Sequence, residues 1–204
     1  TQTGEIISGS LELVGTGGYT LNDGTNNVAT LAAAPAAGAV NYADANAVNI
    51  TTAGVTSGIT LNNAAFTLST VAGNLTVTDA VSTGTGAIDI DVTGTIAVNN
   101  TLDTTSGGIT IDSSGLATIA AAGDITTTTG NVSFGAALAG TAASAGDITT
   151  ATGAVRFYRA LDLTGAVVID TTNGGGSPAG DDIRFDGAIT IGGAANLNLD
   201  AGSA

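Results

Sequence analysis

Residues 123–134 read GDITTTTGNVSF, and residues 146–157 read GDITTATGAVRF. The two stretches agree at nine of twelve positions when Gly123 is aligned with Gly146. A related pair, GAIDIDVTG from Gly86 and GGITIDSSG from Gly107, recurs at a similar spacing. Self-similarity at a short period is typical of chains that stack one small unit on the next. Gly-punctuated, β-rich units of this size favour a solenoid of strands.

Within the repeats, apolar and polar residues alternate. Ile109 and Ile111 flank Thr110, and Leu197 and Leu199 are likewise separated by one polar residue. This period of two predicts short strands with one face turned inward. Because near-identical phrases recur at offsets of 21 and 23 residues, we predict an all-β parallel β-helix with rungs of about 20 residues. About ten such rungs would make a rod of about 50 Å. An antiparallel β-sandwich is the alternative, since Gly corners also suit hairpins.

The whole chain, residues 1–204, is predicted to be a single solenoid segment. Residues 16–46 fit the repeat poorly and are expected to be irregular, with a helical turn at 31–37. The stretch TNGGGSPAGDD, residues 172–182, is expected to be a loop inserted at one corner. Neither terminus shows a polar cap, so we expect a segment of a longer chain or one block of a polymer.

The composition excludes several classes of function. The chain has 17 acidic residues, only three cations (Arg156, Arg159 and Arg184) and a formal net charge of −14, so it should repel nucleic acid and anionic lipid. No apolar run is long enough to span a bilayer, and we expect no membrane insertion. Because His, Cys and Lys are absent, the common nucleophilic triads, most zinc sites and P-loops are excluded.

The second half of the chain resembles the repeat regions of filamentous-haemagglutinin-like large bacterial exoproteins. The similar residues are GDITTTTGNVSFGAAL at 123–138, the stretch from GDITTATGAVRF to DGAITI at 146–191, and NLNLDAG at 196–202. The resemblance implies a right-handed β-helical stalk on an extracellular, cell-surface or matrix protein. It specifies architecture much more than function.

Calcium is the one cofactor that the residues suggest. Corner carboxylates and free carbonyls suit a hard cation that takes six to eight oxygen ligands. The candidate ligands are Asp181, Asp182 and Asp186, beside the Gly-rich stretch 174–180. The alternative is that these groups cap N–H donors at corners, as Asp commonly does in turns.

Residues 156–159, RFYR, form the one distinctive cluster. Arg156, Tyr158 and Arg159 are candidates for carbohydrate binding or self-association, because aromatic and Arg side chains dominate contact hot spots. Phe157 is instead expected to stack on Phe134 inside the solenoid, one rung away.

Two further functions have weaker support. Asp89 and Asp91 could serve a polysaccharide-active enzyme, but such a site also needs Arg side chains that converge on it. Thr126 and Thr128 could begin an ice-binding array, but the unequal repeat lengths argue against a regular lattice. We therefore expect no catalytic residues.

The sequence favours the structural shaft of an extracellular bacterial adhesin or surface filament that stacks end to end. Its partners would be further repeats or copies of itself. A module binding a host or matrix carbohydrate, or a receptor, is the alternative. An exposed patch joining Tyr158 with Tyr42 or Tyr19 would favour binding, whereas scattered aromatics would favour a scaffold.

Overall fold

The computed structural model describes residues 2–203, and within them the pairings between strands are parallel. The chain winds into a β-solenoid of about 7 turns of about 22 residues. The parallel β-helix expected from the repeats is therefore confirmed, and the antiparallel sandwich is excluded. The described residues include no helix long and apolar enough to cross a membrane.

Each coil contributes strands to three faces. The first face is an eight-stranded sheet of β3 (Tyr19–Leu21), β6 (Val40–Asp44), β9 (Phe66–Thr70), β12 (Ile88–Val92), β15 (Ile109–Ser113), β18 (Val132–Phe134), β21 (Val155–Phe157) and β24 (Ile183–Phe185). The second face stacks β7 (Val48–Ile50), β10 (Leu75–Val77), β13 (Ile96–Val98), β16 (Ala117–Ile119), β19 (Ala142–Ser144), β22 (Leu161–Leu163) and β25 (Ile189–Ile191). The third face stacks β8 (Ile59–Thr60), β11 (Val81–Ser82), β14 (Leu102–Thr104), β17 (Ile125–Thr127), β20 (Ile148–Thr149), β23 (Val167–Asp170) and β26 (Leu197–Asp200).

The N-terminal coils join the second and third faces. Strand β5 (Thr30–Pro35) pairs with β7 through Thr30 and Leu31, and with β8 through Ala33. On its other side β5 pairs with β2 (Leu11–Gly15), while β1 (Ile7–Ser8) pairs with β4 (Asn27–Val28). The helical turn predicted at 31–37 is wrong, because residues 30–35 are a strand. The rest of 16–46, predicted to be irregular, contributes β3, β4 and β6 to the coils.

Register along the first face shows how much chain each coil uses. Successive partners in one column are Tyr19, Val40, Phe66, Ile88, Ile109, Val132, Val155 and Ile183. Eight strands at about 4.8 Å spacing span about 34 Å. The predicted ten rungs and 50 Å were too many and too long, because every step along this column uses more than 20 residues and the steps from Val40 to Phe66 and from Val155 to Ile183 are the longest. The longest step, from Val155 to Ile183, contains residues 171–182, which connect β23 to β24 outside any strand.

One column of side chains runs through the first face on its inner side. We call it the inner ladder: Leu21, Tyr42, Leu68, Ile90, Ile111, Phe134, Phe157 and Phe185. Except for Leu21 and Phe185 near the two ends, its members are at most 2% exposed. Alternation of apolar and polar residues therefore buries like side chains over like, coil after coil.

A recurring corner leads from the third face back to the first. A buried Thr donates its hydroxyl to the carbonyl of the Gly three positions later in three coils, and this defines the Thr–Gly corner: Thr83 to Gly86, Thr104 to Gly107 and Thr150 to Gly153. In the coil between, Thr127 Oγ1 accepts from Gly130 N (3.1 Å) and donates to Gly107 O (3.2 Å). These bonds satisfy polar groups that stacking removes from water.

Candidate functional site

The aromatic rings of β18, β21 and β24 form a continuous stack in the core. Phe134 and Phe157 are register partners with ring centroids 4.5 Å apart and planes within 3°. Phe157 stacks in turn on Phe185 at 5.3 Å. The prediction that Phe157 packs inside on Phe134 is confirmed. Alternation along β21 therefore places Arg156 on the outer surface.

Arg156 and Tyr158 form a pair on that outer surface. The guanidinium of Arg156 lies 4.0 Å from the centroid of the Tyr158 ring, and its Nη1 donates to the Tyr158 hydroxyl at 3.2 Å. The electron-rich face of an aromatic ring attracts a cation placed over it. Both side chains are thereby held in defined positions.

A second guanidinium lies directly above the first. Arg156 and Arg184 are register partners on β21 and β24, and Asp186 bridges them. Asp186 Oδ2 accepts a hydrogen bond from Arg156 Nε at 2.8 Å and forms an ion pair with Arg156 Nη2 at 2.6 Å, while Asp186 Oδ1 accepts from Arg184 Nε at 2.6 Å. Hydrogen bonds from Arg156, and then from Arg184, lower the pKa of Asp186. The same carboxylate raises the pKa of Arg156.

A groove of about 360 Å³ opens beside these side chains. We call it the arginine groove. Its lining includes the small residues Ser133 and Ala154 and the polar side chains of Arg156, Arg184, Tyr158 and Asp182.

Arg159 lies away from the arginine groove. It is exposed, and its aliphatic stem covers Gly135, where an added Cβ would sit 2.7 Å from Arg159 Cγ. The predicted set of Arg156, Tyr158 and Arg159 therefore divides. The first two line the groove and the third packs on the neighbouring corner.

The three candidate calcium ligands have other contacts. Both oxygens of Asp186 bind guanidiniums. Asp181 Oδ1 accepts from Asp182 N at 2.7 Å, and Asp182 lines the groove. Among residues 2–203, no group of three or more acidic side chains is placed to hold a metal ion. Calcium binding by Asp181, Asp182 and Asp186 stays a prediction, and a cation at Asp186 would have to displace two arginines.

The carboxylates proposed for an enzyme lie lower on the same face. Asp89 and Asp91 are on β12, and Asp112 is the register partner of Asp91 on β15. Burial, followed by the charge of Asp112, raises the pKa of Asp89. Burial, followed by the charges of Asp89 and Asp112, raises the pKa of Asp91. Asp89 is three strands from Arg156, about 14 Å along the face, so this pair and that arginine do not converge.

The threonines proposed for ice binding do not form a strand pair. Thr126 is on β17, but Thr128 lies beyond the end of that strand. Thr127 between them is buried and belongs to the Thr–Gly corner. Threonine at this position therefore contributes to the solenoid's interior.

Sequence reasoning missed Arg184 and Asp186 as partners of Arg156. A usable signal was present, because VRF at 155–157 recurs as IRF at 183–185. The intervening insertion lengthens the step from Val155 to Ile183 and obscures the alignment.

Comparison with protein families, curated proteins and solved structures finds no match to this chain.

Proposed function

We propose that this chain is a structural shaft, a segment of an extracellular bacterial adhesin or surface filament that extends by stacking further coils on its ends. The observation that carries the proposal is the unbroken inner ladder with its parallel strands, which runs nearly the full length of the solenoid. The extracellular location rests on the sequence resemblance.

The last coil supports stacking at that end. Ile191 on β25 is 55% exposed, whereas its register partner Leu163 is 0% exposed. Leu199 on β26 is 47% exposed, against 0% for its partner Ile169. Each apolar column thus ends on side chains that another coil could cover. Covering them would contribute a stabilisation of about 25 cal/mol for each Å² of apolar surface removed from water.

The aromatic residues also favour a scaffold. Tyr42 is 2% exposed and belongs to the inner ladder. Tyr19 lies on β3, six strands and about 29 Å from Tyr158 along the first face. These residues form no shared exposed patch, which was the arrangement expected of an aromatic binding surface.

The test compares two Lys substitutions of exposed apolar side chains. Ile191→Lys places a charge at the end of a column, and Val55→Lys places one at a 96% exposed position between β7 and β8. We expect the sedimentation coefficients of the wild type and of Val55→Lys to increase with protein concentration. Electron micrographs of both proteins should show rods of constant width. Ile191→Lys should remain monomeric at the same concentrations. Growth that is absent in the wild type, or equal in both variants, would contradict the proposal.

A further inference from the structure

The arginine groove is a concavity built by long side chains, and it lies where two of the chain's three cations meet. Arg156 and Arg184 occupy successive positions of one column, and Ser133 precedes them. Asp186 holds both guanidiniums from one side. Arg156 Nη1 is further fixed by the Tyr158 hydroxyl. This arrangement is pre-organised, so a ligand would not have to order these side chains.

Hydrogen-bonding capacity remains after those contacts. A guanidinium has five N–H donors, and Arg184, whose side chain is 62% exposed, uses Nε on Asp186. Asn131 Oδ1 accepts from Ala154 N at 2.9 Å, which leaves the amide Nδ2 hydrogens as donors. Asp182 adds carboxylate acceptors at the same wall. The groove therefore presents planar donors and acceptors next to an aromatic ring.

The local charge selects the class of ligand. Arg156 and Arg184 are balanced by Asp182 and Asp186, so the arginine groove has no net charge. The whole chain carries −14 and repels polyanions. A ligand that offers many neutral hydroxyls fits this surface better than an anion does. The groove volume of about 360 Å³ is in the lower range of small-molecule sites, about 300–1,000 Å³.

We infer that the arginine groove binds a short stretch of neutral saccharide. Arg184, Asn131 and Asp182 hydrogen-bond vicinal hydroxyls, and Tyr158, whose ring is covered on one face by the Arg156 guanidinium, contacts the sugar from the wall of the groove. The inference goes beyond the shaft, because it places a glycan contact on the side of the rod and does not involve its ends.

Calorimetric titration tests the inference with five probes. Four are neutral: unbranched hexamers of α-1,4-glucose, β-1,4-glucose, β-1,4-mannose and β-1,4-N-acetylglucosamine. The fifth is a hexamer of galacturonic acid. We expect at least one neutral hexamer to bind and the acidic hexamer not to bind. Failure of all four neutral probes, or binding of the acidic hexamer alone, would overturn the inference.

Substitutions assign the binding to the groove. Arg184→Ala and Tyr158→Ala should each lower the affinity for the neutral hexamer that binds by about tenfold or more. Arg159→Ala removes the same charge from an exposed position outside the groove and should leave the affinity unchanged. Equal affinity in all three variants, or equal loss in all three, would refute the assignment. Urea midpoints check that each variant is folded.

Sedimentation of the same proteins separates this inference from the shaft proposal. If Arg184→Ala alters assembly and no saccharide binding is found, the groove is a contact between copies and the inference fails. If Ile191→Lys leaves assembly unchanged while a neutral hexamer binds, the shaft proposal fails and the saccharide site stands.

Discussion

Single side chains of the inner ladder contribute strongly to the packing of the solenoid. Phe157 is 1% exposed and touches one ring above and one below. No other Phe in the ladder is covered on both sides by aromatic rings, since Phe134 lies next to Ile111. Its removal would leave a cavity in the middle of a closely packed stack.

We predict that Phe157→Ala lowers the free energy of unfolding by about 3–5 kcal/mol. The matched variant is Phe185→Ala, at a partly exposed position in the last coil, which should lose less. Urea denaturation followed by circular dichroism measures both. Equal losses would show that the two rings are equally buried, contrary to the structure.

Tyr42 gives the solenoid a dependence on alkaline pH. It is buried, and its hydroxyl donates to Asp44, whose carboxylate also accepts from Val28 N at 2.9 Å and Asn46 N at 2.8 Å. Burial, then the hydrogen bond to Asp44 and the charge of that carboxylate, raise the pKa of Tyr42 far above its usual value.

We predict that stability falls above about pH 10, the usual Tyr pKa, with Tyr42 adding a slope of up to about 1.4 kcal/mol per pH unit. The sign follows because the unfolded chain can ionise Tyr42 there and the folded chain cannot. Tyr42→Phe should be less stable at pH 7, through loss of the hydrogen bond, but should lose less stability between pH 9 and 11. Urea midpoints that decline in parallel for both proteins would contradict this assignment.

At the scale of one element, the Thr–Gly corner explains why the phrase GDITTTTG is repeated. Gly107, Gly130 and Gly153 stack so closely that a Cβ on Gly130 would lie 2.0 Å from Gly107 O, and one on Gly153 would lie 1.8 Å from Gly130 O. The Thr three positions earlier is buried in each coil. The short distance between coils therefore requires Gly, and the Thr hydroxyl satisfies a buried backbone group at the same corner.

We predict that Gly130→Ala destabilises the protein by about 1–3 kcal/mol, because the added methyl forces adjacent backbones apart. Gly9→Ala is the matched control, since nothing lies within 4 Å of the added atom and its φ is ordinary. Thermal unfolding of the two variants makes the comparison. A Gly130→Ala protein as stable as the control would mean that the coils are not in contact at this corner.

The fold of the middle coils could be predicted from the sequence, whereas that of the first coils and of the longest coils could not. The repeated phrases could be aligned directly because the coils from Ile88 to Val155 carry little extra chain. Residues 51–58 lengthen the step from Val40 to Phe66, and residues 171–182 lengthen the last step. Loops at corners are not constrained by stacking, so their length leaves no periodic signal. This is also why the pairing of Arg184 with Arg156 was not predicted.

For the whole molecule, the stability of each coil depends on its neighbours. Coils in a stacked array contact only the coils above and below, so an end coil receives support from one side. Ile189 and Ile191 in the last coil are 37% and 55% exposed, whereas Ile96 and Val98 in the middle are 1% and 0% exposed.

We predict graded protection from hydrogen exchange along the rod. Amides of β12 to β18 should exchange slowest and those of β24 to β26 fastest, because local opening needs less free energy where fewer apolar contacts are lost. Hydrogen exchange of the monomeric protein, followed by mass spectrometry, resolves this gradient. Uniform protection would indicate one cooperative unit without an end effect, contrary to the nearest-neighbour description.

The central claim, that the coils stack in parallel and in register, predicts a linear scale of distances. Asn41, Ser133, Arg156 and Arg184 occupy one outer column of the first face. Spin labels on introduced Cys residues would be specific, since the chain has no Cys. With one label at position 41, pulsed electron paramagnetic resonance should give separations of about 19, 24 and 29 Å to positions 133, 156 and 184. Separations that do not rise in this order, or that rise by unequal steps, would contradict the stacked solenoid.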